Sequence, residues 1–246
     1  MKVFLSALEA SPEFYKINAE IPKYKYNLMS FFYIKSMEIP EIIRDKSELV
    51  IIDSGAHSFQ KGKKVDWEKY TEQYADFIKK FDKPNVVGYF EMDVDNIIGY
   101  TKVLELRKKL EEVTDKIIPV WHKNRGIDEF KKMCQDYSGK VIAITGFKNE
   151  DIKDEQYLMF LKYAKKYNCK VHCLGMTRKK VLDAVPFDYV DSSSWKQQSI
   201  YGRIGKRKVT REFSKENRWK VMLENYKQSM KMQDYYYQKW KGVCKD

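Results

Sequence analysis

The sequence lacks the features of a membrane-spanning, secreted or multi-domain chain. No stretch approaches the roughly 20 consecutive apolar residues of a membrane-spanning helix. The first ten residues, MKVFLSALEA, contain too short an apolar run for a signal peptide. Proline and glycine are scarce, at 6 and 11 residues, and no Pro/Gly/Ser-rich linker or internal repeat divides the chain. These absences predict one cytoplasmic protein with no membrane partner.

Clustered metal ligands are also scarce, since the chain has four cysteines and three histidines. Only Cys169 and Cys173 are close, with His172 between them. A structural zinc site needs two close pairs, or a Cys/His set at ligand spacing. The segment KVHCL instead predicts a buried strand, with His172 on the face opposite Val171 and Cys173. We therefore expect free thiols, no bound metal and no cofactor.

Positive charge is abundant and is concentrated at the carboxyl end. The net charge is +12, and residues 203–246 contain 13 Lys or Arg against 5 Asp or Glu. A basic segment rich in aromatic residues suits phosphate contacts with stacking nearby, and the alternative is a solvated helix whose apolar stripe packs on the body. The aromatic residues of the segment are Trp219, Tyr226, Tyr235, Tyr236, Tyr237 and Trp240. The candidate phosphate-binding residues are Arg203, Lys206, Arg207 and Lys208.

Short apolar runs alternate with amphipathic charged segments along most of the chain. Several runs are apolar throughout, as is typical of parallel strands buried on both faces. Eight such units predict a single TIM-type (β/α)8 barrel over 1–202, with a basic helical extension over 203–246 packed on it. An open doubly wound α/β sheet is the alternative. The predicted strands are 3–8, 28–34, 49–53, 86–93, 117–121, 141–145, 171–175 and 187–191. The predicted helices are 66–81, 96–113, 127–137, 154–167, 178–185 and 211–241.

Polar, titratable or glycine residues follow six successive predicted strands. An α/β barrel places its active site at the carboxyl ends of its strands, so these residues are expected to share one rim. Any one of them alone would suit a loop or a helix cap. The six segments are Asp53-Ser54-Gly55-Ala56-His57, Glu91-Met92-Asp93, Trp121-His122, Thr145-Gly146, Gly175-Met176 and Asp191-Ser192.

The order of these segments resembles that of the tRNA-guanine transglycosylases over about 49–195. Asp53-Ser54-Gly55, followed by Phe59, is similar to their D-S-G-G-F-Q segment. The segment YFEMD, ending at Asp93, is similar to their strand ending in a base-binding aspartate. AITGF and VHCLGM resemble two glycine-containing strand ends, and FDYVD keeps the D-x-x-D spacing of the strand that bears the nucleophile.

The resemblance implies base exchange at a glycosidic bond. Asp191 would be the nucleophile and Asp53 the general acid/base, a division of labour that a displacement with retention also requires. Matching F-D-x-V instead would make Asp188 the nucleophile. Asp93 would bind the base. The remaining pocket would be formed by Ser54, Gly55, His57, His122, Gly146, Gly175, Met176 and Ser192.

The chain departs from the family in lacking its C-x-C-x2-C…H zinc module. Together with the small size and the basic tail, this loss favours DNA over tRNA as the substrate. The closest group is that of the short phage-type enzymes that insert 7-deazaguanine bases into DNA. The resemblance therefore implies a phage-encoded protein acting in the host cytoplasm on a base such as 7-cyano-7-deazaguanine.

Two other functions remain open from the sequence. A metal-dependent barrel enzyme would use Glu91, Asp93 and Asp95, with or without His122, because hard cations prefer oxygen ligands. A non-catalytic nucleic-acid-binding barrel, with the activity supplied by a partner protein, is the third hypothesis. The presence of both Asp53 and Asp191 at predicted strand ends counts against it.

Overall fold

Nine parallel strand segments form a nearly closed barrel in the computed structural model, which describes residues 1–59, 65–145, 152–205, 207–210 and 217–244. The sheet order is β5-β4-β3-β2-β1-β9-β8-β7-β6. The segments at its two ends, β5 and β6, belong to one run interrupted only at Pro119. Because β5 pairs with β4 and β6 pairs with β7, this run joins the two ends of the sheet as an eighth strand. The predicted TIM-type barrel is therefore confirmed.

The strands lie within a few residues of their predicted positions, except for the second. The run predicted at 28–34 begins four residues earlier, and its last part forms a 3-10 helix, Phe31–Tyr33. The barrel strands are β1 (Lys2–Ser6), β2 (Tyr24–Ser30), β3 (Ser47–Asp53), β4 (Val86–Phe90), β5 (Ile117–Ile118), β6 (Val120–Trp121), β7 (Val141–Thr145), β8 (Lys170–Leu174) and β9 (Tyr189–Ser192). A short antiparallel ribbon, β10 (Arg203–Ile204) and β11 (Arg207–Lys208), follows.

Ten α-helices are described, and three of them were not predicted. These are α1 (Phe14–Ala19), α2 (Glu38–Lys46) and α9 (Ser194–Ile200), each of which is no longer than nine residues. The run predicted as one helix at 96–113 is divided at Gly99, whose φ of +81° ends the first turn. The helices are α1 (Phe14–Ala19), α2 (Glu38–Lys46), α3 (Trp67–Phe81), α4 (Asp95–Ile98), α5 (Tyr100–Glu111), α6 (Gly126–Asp136), α7 (Tyr157–Lys166), α8 (Lys179–Ala184), α9 (Ser194–Ile200) and α10 (Arg218–Trp240).

Alternation along the strands separates an interior core from an outer one. Phe4, Ile51, Phe90 and Tyr189 belong to a buried cluster inside the barrel. Residues one position away, such as Ile52, belong to the clusters between the strands and the helices. Since successive side chains of a strand point to opposite faces, this pattern fixes which rim residues point into the mouth.

The carboxyl-terminal helix α10 packs along β1, β2 and α9, as the predicted extension should. Gln233 donates through Nε2 to the carbonyls of Val3 and Tyr26, at 2.7 and 2.8 Å. Tyr226 and Tyr236 are buried, so these two aromatic residues stabilise the barrel and cannot stack on a nucleic acid. Within the described ranges, no helix is both long and apolar enough to span a membrane.

Candidate active site

Asp53 is the last residue of β3, and its side chain points into the barrel mouth. It lies two positions after Ile51, which faces the interior, so both share that face. Its Oδ2 accepts a hydrogen bond from the Gly55 N–H at 3.1 Å. Burial, together with the charges of Asp93 and Asp191, raises the pKa of Asp53 to about 7, against the hydrogen bond from Gly55, which lowers it. The carboxyl can therefore exchange a proton near neutral pH.

Asp191 reaches the same mouth from β9, on the far side of β1. It lies two positions after Tyr189, which also faces the interior. Its Oδ1 accepts hydrogen bonds from His172 Nε2, at 2.9 Å, and from the Gly175 N–H, at 2.8 Å. The side chain remains 16% exposed. Both donors contact Oδ1, so Oδ2 is the oxygen that is left to face the mouth.

His172 holds Asp191 in place from inside the barrel. The imidazole is fully buried, with the rings of Phe4, Phe90 and Tyr189 at 5.1 to 6.4 Å between centroids. Its Nδ1 has no hydrogen-bond partner in the part of the chain that the structure describes. The alternation of KVHCL predicts that His172 lies on this face. The sequence does not show that His172 positions Asp191, because the two side chains meet only in the folded barrel.

Asp93 lies after β4 and is paired with His122. Asp93 Oδ1 is 2.6 Å from His122 Nε2 and 3.7 Å from the guanidinium Nη2 of Arg125. Burial lowers the pKa of His122, but the hydrogen bond and charge of Asp93 outweigh it and raise that pKa above its ordinary value. Both side chains are 21% exposed at the mouth.

Glu91 has a structural role that the sequence did not reveal. It faces away from the mouth, is fully buried, and accepts from Arg107 Nε at 2.5 Å. Its Oε1 accepts the Val120 N–H at 2.7 Å. Both oxygens are thus engaged by the protein, which removes Glu91 from the metal site considered above.

The other members of that metal hypothesis lie close together. Asp93, Asp95 and His122 each offer a ligand atom within 4.8 Å of the others. However, Arg125 Nε donates to Asp95 at 3.0 Å, and this cation lowers the pKa of Asp95 against the effect of burial. A guanidinium already neutralises the cluster, so the residues present fit a divalent cation poorly.

Asp188, the alternative nucleophile, lies at the opposite end of β9. Its backbone carbonyl accepts the Lys2 N–H at the start of β1, and its Oδ2 accepts the Val171 N–H at the start of β8. An odd separation from Asp191 also turns its side chain outward. The assignment of Asp188 to the site with Asp53 is therefore wrong.

Two residues of the D-S-G segment support the mouth without facing it. Ser54 is buried, and its hydroxyl donates to the Glu91 carbonyl at 2.8 Å, which links the ends of β3 and β4. At Gly55 a Cβ atom would lie 2.4 Å from Phe32 Cβ, and φ is +72°. The close approach that requires glycine comes from Phe32 of the same chain, so packing within the protein accounts for glycine at this position.

The structure places the remaining predicted pocket residues in different surroundings. Gly175 contributes its N–H to Asp191, and exposed His57 lies in a 3-10 helix on the rim, Ala56–Phe59. The side chain of Met176 is buried in the outer core, and the Ser192 hydroxyl bonds to Ser194 at 3.0 Å. Neither side chain is available to a ligand, which corrects both predictions. Gly146 and Lys206 lie outside the described residues.

The predicted phosphate-binding cations follow the strand that bears Asp191. Arg203, Arg207 and Lys208 are exposed on the ribbon formed by β10 and β11. Asn225 of α10 fixes this ribbon by accepting the Gly205 N–H at 2.9 Å and donating to the Arg203 carbonyl at 2.6 Å. The three cations therefore lie on an anchored surface, which comes after β9 and α9 in the chain.

Glu9 is a buried carboxyl of the same rim that sequence reasoning missed. It follows β1, and its Oε1 accepts the N–H of Ser30, the residue paired with Asp53 across β2 and β3. Burial raises the pKa of Glu9 to about 7. Its position in SALEASPEF, before a proline and outside any strand, resembles an ordinary loop carboxylate. The sequence contains no signal for its burial.

The chain matches no protein-family model, and no curated protein is significantly similar to it.

Proposed function

We propose that this protein is a guanine transglycosylase that exchanges a base in a nucleic acid, with DNA as its preferred substrate. The observation that carries the proposal is the pairing of Asp53 and Asp191 in one mouth with opposite surroundings. Asp53 has a pKa of about 7 because it is buried among carboxylates, whereas Asp191 is held by two hydrogen-bond donors. Two carboxyl groups with different environments suit a proton donor and a nucleophile.

In the first half-reaction, Asp191 Oδ2 attacks the anomeric carbon of the target nucleotide. The bond to guanine breaks, its electron pair leaves with the base, and Asp53 gives the base a proton. The product is an ester between Asp191 and the sugar. In the second half-reaction, Asp53 removes a proton from the incoming 7-deazaguanine, whose nitrogen attacks the same carbon and releases Asp191. The two proton transfers balance, so no cofactor is consumed.

The opposite side of the mouth suits recognition of the base. Asp93 is held by His122 and lies near Arg125, so its carboxylate is fixed in direction. Guanine and 7-deazaguanine present the same N–H donors on their Watson–Crick edge, and a fixed carboxylate can accept them. We assign Asp93 to that edge. The leaving and the incoming base would then bind in the same orientation.

A nucleic-acid substrate fits the charge of the chain. The net charge of +12 favours a polyanion, and Arg203, Arg207 and Lys208 are exposed after the strand of Asp191. A base within a duplex must be extruded before its anomeric carbon can be attacked. Single-stranded DNA is therefore the simplest substrate with which to test the chemistry.

The test is trapping of the ester. Wild-type protein is incubated with guanine-containing single-stranded DNA, or with RNA of the same sequence, and a denaturing gel is used to detect the adduct. We expect an adduct with DNA that is absent in Asp191→Asn and retained in Asp188→Asn. Mass spectrometry of the nucleosides should then show incorporation of 7-cyano-7-deazaguanine. Adduct formation by Asp191→Asn would overturn the proposed mechanism, and a preference for RNA would change the substrate.

A further inference from the structure

A second pocket lies beside Asp53, on the side of β1 and β2. Its volume is about 160 Å³, and it lies between the loop after β1 and the start of α2. Its polar lining is contributed by Glu9, Tyr33, Lys35 and Ser36, and Ile39 and Pro40 supply apolar surface. None of these residues takes part in the base-exchange steps described above.

One oxygen of Glu9 indicates that this pocket accepts a hydrogen-bond donor. The residue is only 7% exposed, and its Oε1 is engaged by the Ser30 N–H at 3.0 Å. Its Oε2 is buried and has no hydrogen-bond partner among the described residues. A buried polar atom without a partner is costly, and Glu9 lines this pocket, so a donor group of a ligand bound there would complete the atom.

The same pocket presents an aromatic ring and a cation. Tyr33 is 47% exposed, and its ring packs edge-on against Phe32 at 5.0 Å. Lys35 is exposed, and its ammonium group donates to the Phe32 carbonyl at 3.3 Å. Because Phe32 also packs against Gly55, the ring and the cation are anchored to the segment that carries Asp53.

We propose that this pocket binds the nucleotide adjacent to the target, with preference for a base that carries an exocyclic amino group. Tyr33 stacks on the base, Lys35 contacts its phosphate, and Glu9 Oε2 accepts a hydrogen bond from the amino group. Cytosine meets this requirement. Thymine places carbonyl oxygens on both sides of its single N–H, so above the pKa of Glu9, about 7, it would repel the carboxylate. Binding is therefore compared at pH 8. This inference rests on the proposed function and adds a sequence context to it.

The experiment measures binding without chemistry, in Asp191→Asn protein. Fluorescein-labelled single strands carry one guanine among thymines, with cytosine placed on its 5′ or its 3′ side. We expect cytosine on one side to tighten binding about ten-fold, the size of one good base-edge contact. Adding Glu9→Gln should remove this preference, because an amide can also donate to thymine oxygens.

Tyr33→Ala separates stacking from edge recognition. We expect it to weaken binding of every strand about ten-fold, since loss of stacking does not depend on the base. The matched control is Leu104→Ala on α5, a large side chain that is 39% exposed and lies beside the start of β5, at the end of the strand away from the mouth, which should bind normally. Both substitutions are at the surface, so neither should prevent folding.

Two outcomes would overturn the inference. One is equal affinity for cytosine and thymine on both sides of the guanine, and the other is equal affinity of Tyr33→Ala and Leu104→Ala. If wild-type protein still forms the Asp191 adduct in either case, the inference fails and the proposed function stands. If no strand binds and no adduct forms, both fail.

Discussion

The two halves of the rim at the carboxyl ends of the strands contain similar carboxylates in different surroundings. Beside β4, β5 and β6, the carboxylates are matched by cations: Glu91 by Arg107, and Asp95 by Arg125. Beside β1, β3 and β9, no Lys or Arg forms an ion pair with Glu9, Asp53 or Asp191 among the described residues. On that side, burial raises the pKa values of Glu9 and Asp53 to about 7.

The difference separates carboxylates that hold the structure from those that can react. A neutralised carboxylate with both oxygens engaged has little tendency to take up a proton or to attack carbon. A carboxyl buried without a cation titrates near the working pH and keeps an oxygen available. On this reasoning the β4–β6 half orients the base and the β9–β3 half performs the chemistry.

The largest expected effect is on stability, from removal of Glu91. Glu91→Gln leaves Arg107 buried without its ion-pair partner, which should lower the free energy of unfolding by about 3–5 kcal/mol. Urea denaturation measures the loss. The matched control is Glu105→Gln on α5, where the exposed pair with Lys102 is screened by solvent and should contribute little to stability. Equal losses in the two variants would remove the structural distinction between the halves.

The next effect is on the rate, from removal of the donor to Asp191. His172→Phe keeps a ring among Phe4, Phe90 and Tyr189 but loses the bond from Nε2. We expect kcat for adduct formation to fall about 10- to 100-fold, with KM little changed, since a displaced nucleophile affects the reaction step.

His172→Gln serves as the rescue variant, because its amide can donate to the same oxygen. Partial recovery of kcat would support positioning through a hydrogen bond. A rise in KM with unchanged kcat would instead show that His172 contributes only to binding.

A smaller effect is expected in the pH dependence of stability at Asp53. Its pKa is about 7 in the folded protein and near 4 when unfolded, so the folded state binds the extra proton between these pH values. The contribution of Asp53 to the free energy of unfolding of the wild-type protein therefore falls as pH rises through that window. Asp53→Asn should not show this fall, so it should gain stability over wild type as pH rises from 4 to 7, with no gain below pH 4. A gain that is constant with pH would contradict the raised pKa.

The smallest expected effect is that of chelation. Because Arg125 already neutralises the cluster of Asp93, Asp95 and His122, EDTA should leave the yield of adduct unchanged. Adduct formation that is lost with EDTA and restored by a divalent cation would favour the metal-dependent alternative.

The sequence predicted the barrel well because each strand is a compact apolar run bounded by polar segments. It also placed Asp53, Asp93 and Asp191 at strand ends. What it could not show is which partner each carboxylate meets across the barrel. Arg107 is far from Glu91 in sequence, and Glu9 is in a loop, so neither the ion pair nor the buried oxygen has a local pattern.

The strand formed by β5 and β6 is interrupted at Pro119. Proline has no N–H to donate, so the backbone pairing that would join β4 to β7 through one continuous strand is broken at this residue. The carboxylate of Glu91, which follows β4, accepts the Val120 N–H of β6 instead. One buried side chain therefore closes the cylinder at the position where the backbone ladder is incomplete.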